Sequence, residues 1–341
     1  MPLSPKNWPT SAFTSSRLAM TPLKAKRSAS LGLERSVPAP RGVFAKLWPW
    51  LVALAILAFL FTRIPRRALF NALEAGPWLS LGAYTLLQVL IILTADAYAT
   101  SVSLAITGFR QRFFLIFLVR GATYILGILN YALGQGAFGL YLQRSGVATM
   151  RAAGTMFFLM IVNIGVLLLV ASFGLLAGGY PGTAHFNLSP LGYGLLVGIV
   201  LYLAIIGLRP RCLQSYQLLA PLLEAGLTGH LKAALGRLPH ILVLVLTYWG
   251  ALRLWGIAVP LAQGVAMVPL VLLIGALPIT PVGLGTTQAA LVFLFSPYVP
   301  LPNSEVRAAA VLAFSLIYSF WGIVVQALVS LWCWQRLRYN Y

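Results

Sequence analysis

The stretch 276-ALPITPVGLGTTQAALVFLF-295 decides how this chain is read. Pro278, Pro281, Gly283 and Gly285 fall in the middle of an otherwise apolar run. Proline removes a backbone donor and glycine loosens the backbone, so a helix breaks here. A second break is expected at Gly134-Gln135-Gly136, inside 129-LNYALGQGAFGLYL-142. The apolar segments form two interrupted pairs, 113–129 with 131–143 and 261–277 with 284–297. At about 1.5 Å per residue, the second members reach roughly 20 Å, short of the roughly 30 Å hydrocarbon core. Non-helical backbone at membrane depth survives only when buried in protein or facing a water-filled cavity. Two such interrupted segments in corresponding halves of a chain point to a transport site.

Composition fixes the class. Of 341 residues, 60% are hydrophobic and 9% charged, where a soluble domain carries about 25% charged residues. The fold class is therefore an all-α polytopic membrane protein. No strand alternation appears, which argues against a β-barrel. Lys and Arg number 24 against 5 Asp and Glu, a net charge of +19. These charges lie mostly between apolar spans, where they set topology and meet anionic lipid headgroups. Nucleic acid is not an expected partner. Cys212 and Cys333 lack metal-ligand spacing, and His185, His230 and His240 are scattered. No metal and no cofactor are expected.

About six crossing helices are read, near 47–62, 78–107, 152–178, 188–208, 239–258 and 306–334. Residues 1–45 read as a disordered basic cytoplasmic tail. Residues 46–335 form the membrane domain, and 336–341 a short basic tail. Within the domain, 209–238 reads as a cytoplasmic amphipathic loop. Leu219, Leu223, Leu227, Leu231 and Leu235 recur there every fourth position, joined by Lys232 and Arg237. With both termini cytoplasmic, most basic residues fall inside, and the loops 179–187 and 298–305 hold none. That pattern requires each interrupted pair to return to its starting side. It predicts two re-entrant helix pairs of opposite orientation. Arg63, Arg66 and Arg67 run against the trend, unless the first segment lies at the interface.

Two ionisable residues fall inside spans, Asp96 and Arg120. Such a residue costs about 2.5–3.5 kcal/mol at a helix centre, so it faces the bundle interior and finds a partner. Either the two pair with each other, or Asp96 sits near a helix end while Arg120 reaches the headgroups. Gln135 and Gln288 flank the glycine breaks. Helix amino termini at breaks present N–H groups and a positive dipole end, which suits an anionic headgroup. Interhelical glutamines also act as structural glue. No catalytic constellation appears: the five acids are far apart, and nucleophile-elbow, zincin and phosphate-loop motifs are missing. An enzyme is not expected.

Residues 276–291 resemble a run in the transmembrane, flippase-like domain of the lysylphosphatidylglycerol synthetase family. Leu277, Pro278, Pro281, Gly283 and Gly285 match it, and Gln288 stands where the family often has Glu. A second likeness runs through Arg120, Asn130, Gly134 and Gly136, with Leu133 and Ala137 in place of the family's Pro and Glu. The resemblance covers about residues 45–335. It implies a stand-alone membrane domain, because the chain ends at Tyr341, where some members continue into a soluble synthetase domain.

The expectation is a transporter moving an amphipathic lipid or lipid-linked molecule between leaflets of a bacterial inner membrane. Gly134, Gln135, Gly136, Gly283, Gly285 and Gln288 would shape the cavity, with Asn130, Pro278 and Pro281 beside them. Arg120 would contact the headgroup or pair with Asp96. Expected partners are membrane lipids with an anionic headgroup, a second copy of the chain, or a lipid- or glycan-biosynthesis enzyme. The rival expectations are a lipid- or glycolipid-modifying membrane enzyme and a non-transporting scaffold.

Overall fold

The computed structural model describes residues 43–129, 131–178, 189–277, 280 and 283–340. The tail 1–42, the loop 179–188, and the candidate residues Asn130, Pro278 and Pro281 lie outside the described residues. The described residues are almost wholly helical: α1 (Val43–Arg63), α2 (Arg66–Glu74), α3 (Trp78–Ile106), α4 (Phe113–Leu129), α5 (Tyr131–Arg144), α6 (Thr149–Gly178), α7 (Ser189–Leu208), α8 (Arg211–Gln214), α9 (Ala220–Leu254), α10 (Leu261–Ala276), α11 (Thr286–Phe295) and α12 (Ser304–Asn340). Among the described residues, five helices (α3, α6, α7, α9 and α12) are long and apolar enough to cross a membrane. A sixth span arises if α1 and α2, bent by 96° at Pro65, count as one. The chain is a multi-pass membrane protein.

One order of elements occurs twice. A long helix, two short helices and another long helix run from α3 to α6, and again from α9 to α12. The packing is reciprocal. The first short helix of each set, α4 or α10, lies against the last long helix of the other, α12 or α6. The leading helices α3 and α9 pack directly together. They run antiparallel, since Tyr84 donates to the Thr247 carbonyl near one end while Val102 abuts Gly236 nearer the other.

Small residues permit these approaches. A Cβ on Gly174 of α6 would stand 2.5 Å from the Ala266 Cα of α10. Opposite it, Ser330 of α12 donates to the Ala122 carbonyl of α4 and accepts from the Ile125 N–H. Small-residue contacts and interhelical hydrogen bonds drive helix association where lipid removes the hydrophobic incentive.

Each pair of short helices folds back on itself. In the first, a Cβ on Gly134 would lie 2.9 Å from the Cα of Gly127. In the second, a Cβ on Gly283, whose φ is 66°, would lie 3.0 Å from the Cα of Gly275. Gly127 and Gly275 are each the fifteenth residue of their helix. The first break falls earlier than expected. Gly134, Gln135 and Gly136 are helical residues in the opening turns of α5, which begins at Tyr131, and α4 ends at Leu129.

The segment 209–238 is more ordered than a surface loop. After α8 and a short 3₁₀ turn, α9 starts at Ala220 and continues through Pro239 to Leu254. Gly226, with φ 57°, kinks it. The leucine stripe divides at that kink: Leu223 is buried, whereas Leu227, Leu231 and Leu235 are exposed. Arg237 does not belong with them. It is buried inside the bundle.

Candidate functional site

Asp96 on α3 is the centre of a buried charge cluster. Arg120 of α4 donates through Nε to Asp96 Oδ2 at 2.7 Å, and its Nη2 lies 2.6 Å from the same oxygen. Arg237 of α9 donates through Nη1 to the other oxygen, Oδ1, at 2.5 Å. The three residues are 2%, 7% and 3% exposed. The pairing of Asp96 with Arg120 is one of the two arrangements the sequence allows. The second arginine is an addition to both.

Two guanidinium groups against one carboxylate leave a formal charge of +1. Moving an unpaired ion into a low-dielectric interior costs several kcal/mol even after relaxation. The cluster softens part of this. Arg120 also donates through Nη1 to Gln135 Oε1 at 3.2 Å, and its guanidinium lies 5.5 Å from the centre of the Phe138 ring. Arg237 has less: its Nε has no hydrogen-bond partner among the described residues.

That excess charge borders a cavity of about 250 Å³. Helical spacing aims side chains into it from six helices. Arg237, His240, Ile241 and Leu244 form one face of α9, and Asn163 reaches in from α6. A larger cavity, about 420 Å³, lies beyond it. Ile92, Tyr124, Leu244, Leu272 and Ala276 line both. These residues form the partition between the two spaces. Gly127 and Gly275, at the folded-back ends of both short-helix pairs, line the larger cavity together with Gly283. Its polar groups are uncharged and include Thr85, Gln88, Tyr318, Ser319 and Gln326. On the opposite side, Gln135 also borders a third cavity of about 360 Å³ between α5 and α6, lined by Gly136 and Gln143. The three spaces thus share lining residues, each with its neighbour.

The expected site residues divide. Asp96, Arg120, Gln135, Gly136 and Gly283 line these cavities. Gly134 sits at the helix contact instead. Gln288 takes the structural role: its Oε1 accepts the Gly285 N–H at 2.6 Å, closing the first turn of α11. Gly285, with φ 86°, abuts α1, where the Ala53 carbonyl oxygen would lie 3.0 Å from an added Cβ. Arg237, His240 and Asn163 are site residues that the sequence reading passes over. Arg237, His240, Ile241 and Leu244 follow an i, i+3, i+4, i+7 spacing that marks them as one helix face.

Comparison of the chain with family models, curated proteins and solved structures finds no match.

Proposed function

We propose that this protein moves an amphipathic lipid with an anionic headgroup between the leaflets of its membrane. The observation behind this reading is the buried Arg120–Asp96–Arg237 cluster, with its surplus positive charge facing a cavity. Ionisable groups inside a membrane bundle are expensive and characteristically serve substrate pathways. An anion that enters this cavity supplies the missing counter-charge.

The repeated element order supports the same reading. With α3 and α9 antiparallel, two sets of like order run in opposite directions, as in inverted-repeat transporters. In this account, α4–α5 and α10–α11 are re-entrant pairs entering from opposite sides, with both termini cytoplasmic. The bend between α1 and α2 lays α2 along the interface, which accommodates Arg66 and Arg67 outside the cytoplasmic set. The row of three cavities is the route of the headgroup, and the partition around Tyr124 is its gate. The likeness to the flippase-like domain adds weight, and a bacterial inner membrane is the setting it implies.

A leaflet-accessibility assay tests the reading. Proteoliposomes containing tail-labelled fluorescent phosphatidylglycerol are treated with a membrane-impermeant quencher. With the protein, the quenched fraction should rise above the outer-leaflet share. If it stays at the protein-free level while the lipid's mass changes, the protein is a lipid-modifying enzyme. If neither changes, a scaffold role takes precedence.

A further inference from the structure

We infer that the cargo is a lipid phosphate whose headgroup, beyond the phosphate, is uncharged and bears hydroxyls. This deepens the transport reading and rests on it. The placement of the acids bears on it first. The chain has five: Glu34, Glu74, Asp96, Glu224 and Glu305. Glu74 ends α2, Glu305 lies in the first turn of α12, and Glu224 pairs on the surface with Arg151 at 2.8 Å. Glu34 belongs to the amino-terminal tail. Among the described residues, Asp96 is therefore the one acid available to the cavities, and both of its oxygens are engaged by arginines.

A headgroup amine would find no carboxylate among these residues. It would also meet a cluster that is already net positive, at a depth where like charges interact strongly. Of the three tyrosines among the described residues that line the larger cavity, Tyr318 stacks on Phe314, with ring centres 5.3 Å apart, and meets Tyr248 edge-on at 4.9 Å. Among the described residues, the lining of that cavity holds no acidic side chain. Aminoacylated and ethanolamine headgroups are thus disfavoured. A phosphate fits, because the Arg237 Nε has no partner among the described residues and charge-assisted bonds to phosphate are strong.

The larger cavity receives the rest of the headgroup. Its volume of about 420 Å³ lies within the roughly 300–1,000 Å³ typical of small-molecule sites. Its lining combines donors and acceptors without charge. The Thr85 hydroxyl donates to the Leu81 carbonyl and keeps its acceptor lone pairs, while Gln326 lines the same space from α12. Hydroxyl groups of glycerol or a sugar match such a surface.

Ligand-induced thermal stabilisation of the full-length protein in detergent tests this, with four probes: phosphatidylglycerol, phosphatidic acid, phosphatidylethanolamine and inorganic phosphate. Phosphatidylglycerol should act at concentrations about tenfold below phosphatidylethanolamine, and below phosphatidic acid. Inorganic phosphate should have little effect. Gln326→Leu, and separately Thr85→Val, should erase the preference for phosphatidylglycerol over phosphatidic acid while phosphatidic acid still stabilises, which shows the variants folded. Equal stabilisation by phosphatidylethanolamine, or a preference that survives both substitutions, overturns the inference and leaves lipid transport standing. Inorganic phosphate matching phosphatidylglycerol makes this a free-phosphate site and also overturns it. No stabilisation by any probe removes the anionic-lipid reading itself.

Discussion

Asp96 and Arg237 are 141 residues apart in the chain and meet in a 2.5 Å hydrogen bond. The contact ties α3 to α9, the leading helices of the two like sets. Because Arg120 holds the other carboxylate oxygen, removing Asp96 leaves two buried cations facing each other. Asp96→Asn should cost about 3–5 kcal/mol of stability. Adding Arg237→Gln should recover part of it, since one buried cation then remains. A double-mutant cycle in detergent reads the coupling, and effects additive within about 0.5 kcal/mol would dismiss the network.

The two arginines should differ in what they contribute. Arg120 makes two contacts to Asp96, one to Gln135 and a stack on Phe138. Arg237 makes one bond to Asp96, and losing it leaves a neutral Asp96–Arg120 pair. Arg120→Gln should therefore destabilise more than Arg237→Gln, by about 1–3 kcal/mol. Unfolding midpoints of the two purified variants decide the order. Either change leaves a neutral pair, so equal losses would mean that bond count in the cluster matters less than its charge balance.

Glycines two positions apart on α5 should respond oppositely. Gly134→Ala drives a Cβ into the backbone of Gly127, at 2.9 Å from its Cα, and should cost about 1–3 kcal/mol. An added Cβ on Gly136 meets nothing within 4 Å, so Gly136→Ala should be neutral or stabilise by about 0.5–1 kcal/mol through helix propensity. Thermal melts of both variants check this pair. A tolerated Gly134→Ala would show that α4 and α5 can separate at no cost.

The helix lengths make the bundle legible in the sequence. Segments 113–129 and 261–277 read as short apolar pieces, and they form α4 and α10 nearly as bounded. The Asp96–Arg120 pair is also accessible, because a buried charge demands a partner. Arg237 is hidden by two local signals. Pro239 looks like the start of a span, and the leucine stripe gives the preceding residues a surface helix. In fact α9 continues through Pro239, and its kink at Gly226 turns the stripe outward while Arg237 stays inside. Gln288 is ambiguous for another reason: a glutamine beside a glycine break serves a ligand or the backbone equally well, and only coordinates show that it accepts the Gly285 N–H.

Topology is open to direct labelling. Single cysteines at positions 146 and 302, in a background without Cys212 and Cys333, should react with impermeant reagents from opposite sides of the membrane. Gly146 follows α5 and Pro302 precedes α12. Labelling from the same side would reject the re-entrant arrangement. It would leave the charge cluster untouched, since that contact does not depend on which side α5 ends.

The central claim is that surplus positive charge at Arg237 draws an anionic headgroup through the bundle. Its most direct test is the leaflet-accessibility assay run on the wild-type protein and on Arg237→Gln, at equal reconstituted amounts and with matched thermal stability. The account predicts that wild type speeds exchange of phosphatidylglycerol and that Arg237→Gln slows it at least about tenfold. Exchange by Arg237→Gln at the wild-type rate would contradict it.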